Sequence, residues 1–371
     1  MLHRLLLVEV ANFKFVTVLC CLTGGLLLRG FTRRRGRAIV VVAGSLAALL
    51  AVADGVNTHY GYLPQVADVV GAVDWPTVPL QDAVHASPVP TPPVSRAILR
   101  AGGIVNLPVD GVVSGFGRHD VLIDLPPQYF TEPTARFPVV YLLHGSPGRP
   151  EDWLRAARLL QTGRAIDAVR PMIFVMPPMS RGWLDDSECV NSRRERIETW
   201  LVADVLPTVD RLLRTTAKRE DRAVVGMSAG GYCALNLAIR DSALFGAAFD
   251  MSGYTGPTYD GGLHRLFGAD WSAQAAQNMP AQYVSSHHVT LPLRIRFDAG
   301  AQDPRPLREI GALLPTLRNH RIDTTVVTRS GGHTYHVWVP ALREGLAWLA
   351  TVFPAVATAT TVRGVTDRPV S

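Results

Sequence analysis

Residues 139–143 (VVYLL) form an uninterrupted apolar run, as do residues 172–176 (MIFVM), which end at Pro177 and Pro178. Short runs of this kind suit strands buried on both faces of a parallel sheet. Residues 119–125 alternate and predict an earlier strand. Apolar Ala223, Val224 and Val225 predict another, followed by a helix over 231–240 packed by Leu235, Ala238 and Ile239. Between them, Ile197, Leu201, Val205, Val209 and Leu212 fall on one face of a predicted helix over 195–214, which Pro207 is expected to kink or divide. Beyond the centre come a strand over 293–297, a helix near 307–317, a strand over 324–328 and a closing helix over 340–352. Strands alternating with helices predict an α/β domain over 96–354, its mostly parallel sheet covered by helices on both faces. No internal repeat is present, and residues 355–371, small and polar, read as a disordered tail.

The first part of the chain has a different pattern. Residues 5–28 are mostly apolar, interrupted by Glu9 and Lys14, and residues 38–54 form a cleaner run slightly short of a usual membrane span. Arg29, Arg33, Arg34, Arg35 and Arg37 lie between them. An arginine-rich loop belongs on the cytoplasmic side, so residues 1–55 are expected to form a two-helix membrane anchor with both ends outside. The competing reading makes 38–53 a signal-peptide core cleaved after Ala51-Val52-Ala53. Both readings put the α/β domain on the extracytoplasmic side of the cell membrane. Residues 56–95, ending in Pro88, Pro90, Pro92 and Pro93, are expected to act as a semi-rigid linker.

Composition sharpens this picture. The chain has 371 residues, enough for a sizeable core, and only 18% are charged. Its net charge of +6 owes much to the arginines of the N-terminal loop, and no basic patch with interleaved aromatics suggests nucleic acid. Of four cysteines, Cys20 and Cys21 fall in the apolar run, leaving Cys189 and Cys233. A disulfide between these two is open for an exported domain; the favoured expectation is that Cys233 packs as a small apolar residue on its helix. No metal-ligand spacing is present, and no cofactor is expected.

The candidate chemistry centres on Gly226-Met227-Ser228-Ala229-Gly230, a G-x-S-x-G sequence between an apolar strand and a helix. A nucleophile elbow needs that context: the turn lifts the serine out of the sheet, and the helix N-terminus favours negative charge in front of it. Bulk at 226 or 230 would collide with neighbouring backbone. Ser228 is therefore the candidate nucleophile.

Among the downstream histidines His264, His287, His288, His320, His333 and His336, only His333 and His336 follow the last predicted strand. The glycines Gly331 and Gly332 favour His333 as the base, with His336 as runner-up. For the orienting acid, Asp303 sits in the loop after the strand at 293–297; Asp298 is its rival, with a structural role the blander reading. Backbone N–H groups of Ala229 and, from the loop His144-Gly145-Ser146-Pro147-Gly148, of Ser146 are the candidate oxyanion donors. His144 is expected to buttress that loop. Asp185, Asp186 and Glu188 read as a rim or substrate loop in preference to a metal site.

HGSPG after a strand, GMSAGGYCALNLAIRDSALFGAAFDMSGY, FDAGAQD and GGHTYHVW together resemble the esterase D/antigen 85 group of α/β-hydrolases over roughly residues 100–352. The resemblance implies an α/β-hydrolase fold with Ser228 as nucleophile, Asp303 as acid and His333 as base; Trp338, five residues after that histidine, is also typical. Mycolyltransferases of the group use glutamate as the acid, so an aspartate here points to an ordinary esterase. The expected function is that of a membrane-anchored serine esterase acting on a small-molecule, lipid or sugar ester. An acyltransferase using a sugar acceptor and a non-catalytic binding module on the same fold are the alternatives.

Overall fold

The buried strand segments assemble into one sheet. The computed structural model describes residues 34–63, 75–84, 95–183, 185–259 and 261–354. Its eight strands are β1 (Gly103–Gly111), β2 (Gly117–Leu125), β3 (Val139–Leu143), β4 (Ile173–Met176), β5 (Arg222–Met227), β6 (Ala247–Met251), β7 (Arg294–Gly300) and β8 (Asp323–Arg329). They lie in the order β1-β2-β4-β3-β5-β6-β7-β8. β2 runs antiparallel to both β1 and β4, and every pairing from β4 to β8 is parallel. β1 and β6 were not expected. The first carries Pro108 and Asn106, which an edge strand tolerates, and the second carries Asp250 within an otherwise apolar run.

Alternate residues of the central strands feed two separate cores. Val139, Tyr141 and Leu143 pack on one face with α3 (Ala229–Arg240) and α4 (Pro304–Asn319). Val140 and Leu142 pack on the other with α2 (Leu159–Asp167) and α5 (Tyr335–Val352). Period-two alternation with both faces buried explains why these strands read as continuous apolar runs. The helix expected over 195–214 forms in three pieces, Ile197–Thr199, a π-helical stretch Trp200–Val205, and Leu206–Leu212 with Pro207 in its first turn. The three pieces are continuous, and Pro207, which lacks an N–H and would clash with a regular α-helical turn before it, follows directly on the wider π-helical turn.

The N-terminal expectations are revised. Residues 38–54 lie within one helix, α1 (Arg34–Tyr60), but among the described residues no helix is long and apolar enough to cross a membrane. Arginines crowd the start of α1, and Asp54, Asn57, Thr58 and His59 interrupt its end. The apolar stretch between them spans ~24 Å at 1.5 Å per residue, short of a bilayer core of ~30 Å. The other expected span, 5–28, lies outside the described residues, as do the proline-rich stretch 85–94 and the tail 355–371.

Part of the expected linker belongs to the fold. Thr77 bridges to Ile104 of β1, and Val78 and Ala83 are buried in the core. After α1 the chain turns at Gly61, and the Asn57 side chain bonds both the N–H and the C=O of Leu63. That turn sets the end of α1 against the α/β domain.

Candidate active site

Parallel pairing of β3 with β5 aligns Leu143 with Gly226, so the loops after both strands emerge side by side at the carboxyl edge of the sheet. Ser228 occupies the tight turn into α3 with φ 55° and ψ −122°. A Cβ on Gly226 would collide with the carbonyl of Gly230, and one on Gly230 with the carbonyl of Leu143. Both glycines are thus required by close backbone approach. The strained φ at Ser228 is held by its own N–H donating to Met251 O at 2.9 Å.

Two loops from the far side of the sheet complete the arrangement. His333, in the loop between β8 and α5, has Nε2 2.8 Å from Ser228 Oγ and Nδ1 2.7 Å from Asp303 Oδ2. This geometry fits a neutral imidazole whose Nδ1–H donates to the carboxylate while Nε2 accepts from the serine hydroxyl. Asp303 is almost fully buried at the end of the β7 loop. Gln302 N–H donates to Gly331 O at 2.9 Å, tying the acid loop to the histidine loop. Trp338 stands edge-on to the His333 ring, centroids 4.9 Å apart.

The rival residues lie elsewhere. Asp298 is wholly enclosed, accepting from Arg296 Nε and Arg329 Nε at 2.7 Å each; it fastens β7 to β8. His336 is engaged elsewhere, its Nε2 2.8 Å from Thr58 O near the end of α1. His264, His287, His288 and His320 are exposed. His144 is buried, its Nδ1 2.8 Å from Gly145 O and its Nε2 3.3 Å from Met179 N. Burial pushes its pKa down to about 4, so it stays neutral, donating to Gly145 O and accepting from Met179 N–H. It thereby holds the loop that carries Ser146.

Ser146 and Ala229 border one cleft, whose wall continues through Asp185, Asp186 and Glu188. Among the described residues no cluster of histidine, cysteine and carboxylate side chains has metal-binding geometry. Cys189 and Cys233 are joined in a disulfide with Cα atoms 5.4 Å apart, contrary to the expectation that Cys233 simply packs. The chain folds the loop after β4 back over α3, bringing together residues 44 apart in sequence. The bond ties the acidic loop to the helix that follows Ser228.

One contact had no signal in the sequence. Tyr62, beyond α1, donates its hydroxyl to Asp152 Oδ1 at 2.7 Å, while Asp152 Oδ2 accepts from Arg149 N–H. Tyr62 also meets Tyr335 edge-on, and Tyr335 meets Trp338. The segment after α1 therefore touches both the loop after β3 and the start of α5.

An α/β sheet with a serine at the elbow after its fifth strand, and acid and histidine on later loops, defines the α/β-hydrolase class. The family model described as "Putative esterase" matches residues 117–349, more than half of the chain, and the chain belongs to that esterase family. An uncharacterised protein of Corynebacterium glutamicum is 28% identical over 264 residues, covering 67% of this chain and 62% of its own length. An esterase of Mycobacterium tuberculosis is 34% identical over 140 residues, 38% of this chain and 30% of its own length. The chain thus spans less than two thirds of either relative. A solved ferulic acid esterase shares the fold with a TM-score of 0.57 at 22% identity, over 68% of this chain and 98% of that one.

Proposed function

We propose that this chain is a serine carboxylic-ester hydrolase working through an acyl-enzyme. The observation that carries the reading is the pair of short contacts from His333, to Ser228 Oγ and to Asp303 Oδ2. Ser228 Oγ attacks the ester carbonyl carbon as its proton passes to His333 Nε2, and Asp303 stabilises the imidazolium. The N–H groups of Ala229 and Ser146 hold the oxyanion. Collapse expels the alcohol with the proton from His333; water then attacks the acyl group by the same route and frees Ser228.

The His333 side chain is 40% exposed, so water reaches the base without a closing step. This favours hydrolysis over transfer to a sugar hydroxyl, which requires water to be kept out. Turnover of a short p-nitrophenyl ester in the presence of excess trehalose, with mass spectrometry of the products, tests the choice. Free acid alone is the expected result; acylated sugar would make the chain a transferase, and absence of turnover with Ser228 intact would favour a non-catalytic module.

Attachment to a membrane with the α/β domain outside is part of the same proposal. It is supported by the apolar run 5–28, the arginines that follow it, and the Cys189–Cys233 disulfide, which belongs to an oxidising compartment. Protease treatment of intact cells should digest the domain; protection until the cells are lysed would contradict this placement.

A further inference from the structure

Two chains of contacts lead from the segment after α1 to the catalytic groups. The first runs through the buried Asp152. Its Oδ1 accepts from the Tyr62 hydroxyl at 2.7 Å and its Oδ2 from the Arg149 N–H at 2.9 Å. Burial, followed by the charge of Asp152, raises the pKa of that hydroxyl, so it stays a donor. A Cβ on the neighbouring Gly148 would stand 2.5 Å from Gly145 O and 3.1 Å from both Asp152 Oδ2 and His144 Nδ1. The Asp152 carboxylate is thus packed against the turn that presents Ser146.

The second chain runs through aromatic rings. Tyr62 meets Tyr335 with centroids 5.7 Å apart, Tyr335 meets Trp338 at 5.0 Å, and Trp338 meets His333 at 4.9 Å, each pair edge-on. Beside them, His336 donates from Nε2 to Thr58 O at 2.8 Å, and its ring lies 3.2 Å from where a Cβ on Gly61 would stand. Residues 58–62 therefore grip the oxyanion loop and the base loop together. The strands that lead into those loops, β3 and β8, are separated in the sheet by β5, β6 and β7, so the sheet does not join the loops directly.

We propose that Tyr62 is a positioning residue for catalysis: through Asp152 it fixes the Ser146 N–H, and through Tyr335 and Trp338 it fixes the His333 ring. The inference rests on the ester-hydrolase reading and adds to it a residue outside the stretch 117–349 that the esterase family model matches. An oxyanion donor lowers the barrier only if it is already in place when charge develops. Ala229 opens α3, whereas Ser146 lies in a loop and needs this outside support. Misplacing such a group by ~1 Å costs up to about a hundredfold in rate.

The experiment measures kcat and KM of the full chain in mild detergent on p-nitrophenyl acetate. It also measures the inhibition constant of an alkyl trifluoromethyl ketone, whose adduct with Ser228 carries the oxyanion. Tyr62→Phe keeps the ring and removes the hydroxyl; Tyr62→Leu cuts both chains of contacts. We expect kcat to fall about fivefold in Tyr62→Phe and about twentyfold or more in Tyr62→Leu, with KM within about twofold of the unmutated chain. The ketone's inhibition constant should rise in step with the loss of kcat/KM, because both report the tetrahedral state. Asp152→Ala should lower kcat at least as far as Tyr62→Phe, and adding Tyr62→Phe to it should cost little more, since the bond is already gone. If Tyr62→Leu or Asp152→Ala does not fold, Tyr62→Phe decides by its kcat and its ketone inhibition. Unchanged kcat in folded Tyr62→Phe, or a rise in KM with kcat kept, overturns the positioning role and leaves the hydrolase reading standing. No turnover by the unmutated chain overturns both.

Discussion

Asp303 and Asp298 lie within one short stretch of chain, yet only Asp303 reaches His333, at 2.7 Å, while Asp298 is sealed between Arg296 and Arg329. Strand geometry makes the division. Asp298 pairs with Val327 inside the sheet, whereas Asp303 lies past the end of β7 in the loop at the sheet's carboxyl edge.

The two aspartates should therefore fail in different ways. Asp303→Asn leaves the fold intact and lowers kcat on a p-nitrophenyl ester by about a thousandfold or more, because the imidazole loses the partner that sets its tautomer. Asp298→Asn lowers the unfolding free energy by roughly 3 kcal/mol, since it deprives buried Arg296 of its nearest counter-charge, while activity per folded molecule stays near normal. Denaturant titration alongside steady-state kinetics separates them. Equal loss of kcat in both variants would mean the acid has been misassigned.

Replacing Cys189 and Cys233 by serine, or reducing the bond, should destabilise the chain by about 4 kcal/mol in the chain-entropy model for a loop of this length. Because the bond fixes the acidic loop beside α3, KM should rise more than kcat falls. The check is a urea titration with and without reductant together with the kinetic split. A change in kcat alone would argue against a binding role for that loop.

Stability should fall as pH rises from about 6.5 to about 8.5. Burial pushes Asp250 up to about 8, as it does Glu188. Between the ordinary carboxyl pKa and these values the folded chain holds protons that the unfolded chain has released, so raising pH favours unfolding. His144, held down to about 4, works in the opposite sense, but only below its unfolded value near 6.5. Melting temperatures across that range should decline, and less steeply in Asp250→Asn. A flat or rising profile would contradict the buried, protonated carboxyls.

Tyr62→Phe removes the hydroxyl that bonds Asp152. Loss of one such hydrogen bond is worth about 1 kcal/mol or somewhat more where the acceptor is a carboxylate. Hydrogen exchange should quicken at residues 52–63 and in the loop carrying Arg149 and Asp152, with little change in the core strands. Unchanged exchange would show that the end of α1 is not held by this contact.

What could be read from the sequence was local. Gly226 and Gly230 stand out because the elbow sequence itself demands small residues, Gly226 against the backbone of Gly230 in the same turn and Gly230 against that of Leu143 at the end of β3, and β3 and β5 announce themselves because both faces are buried. Ser228, Asp303 and His333 were legible as candidates because each follows a strand, and the sheet's parallel order carries their loops to one edge. What escaped was non-local or locally contradictory. Asp250 masks β6, Pro108 masks β1, and the helices between residues 263 and 286 are too short for a period to show. No pattern links Tyr62 to Asp152, or Cys189 to Cys233, across the intervening chain. The run at 38–54 was legible as a helix and lies within Arg34–Tyr60, but no helix among the described residues is long and apolar enough to cross a membrane.

The most direct test is covalent labelling of the chain with a fluorophosphonate, followed by peptide mapping. A single adduct on Ser228 is expected, absent in Ser228→Ala and strongly slowed in His333→Ala, with both variants folded by circular dichroism. Labelling elsewhere, or none on the folded unmutated chain, would contradict a serine nucleophile activated by His333.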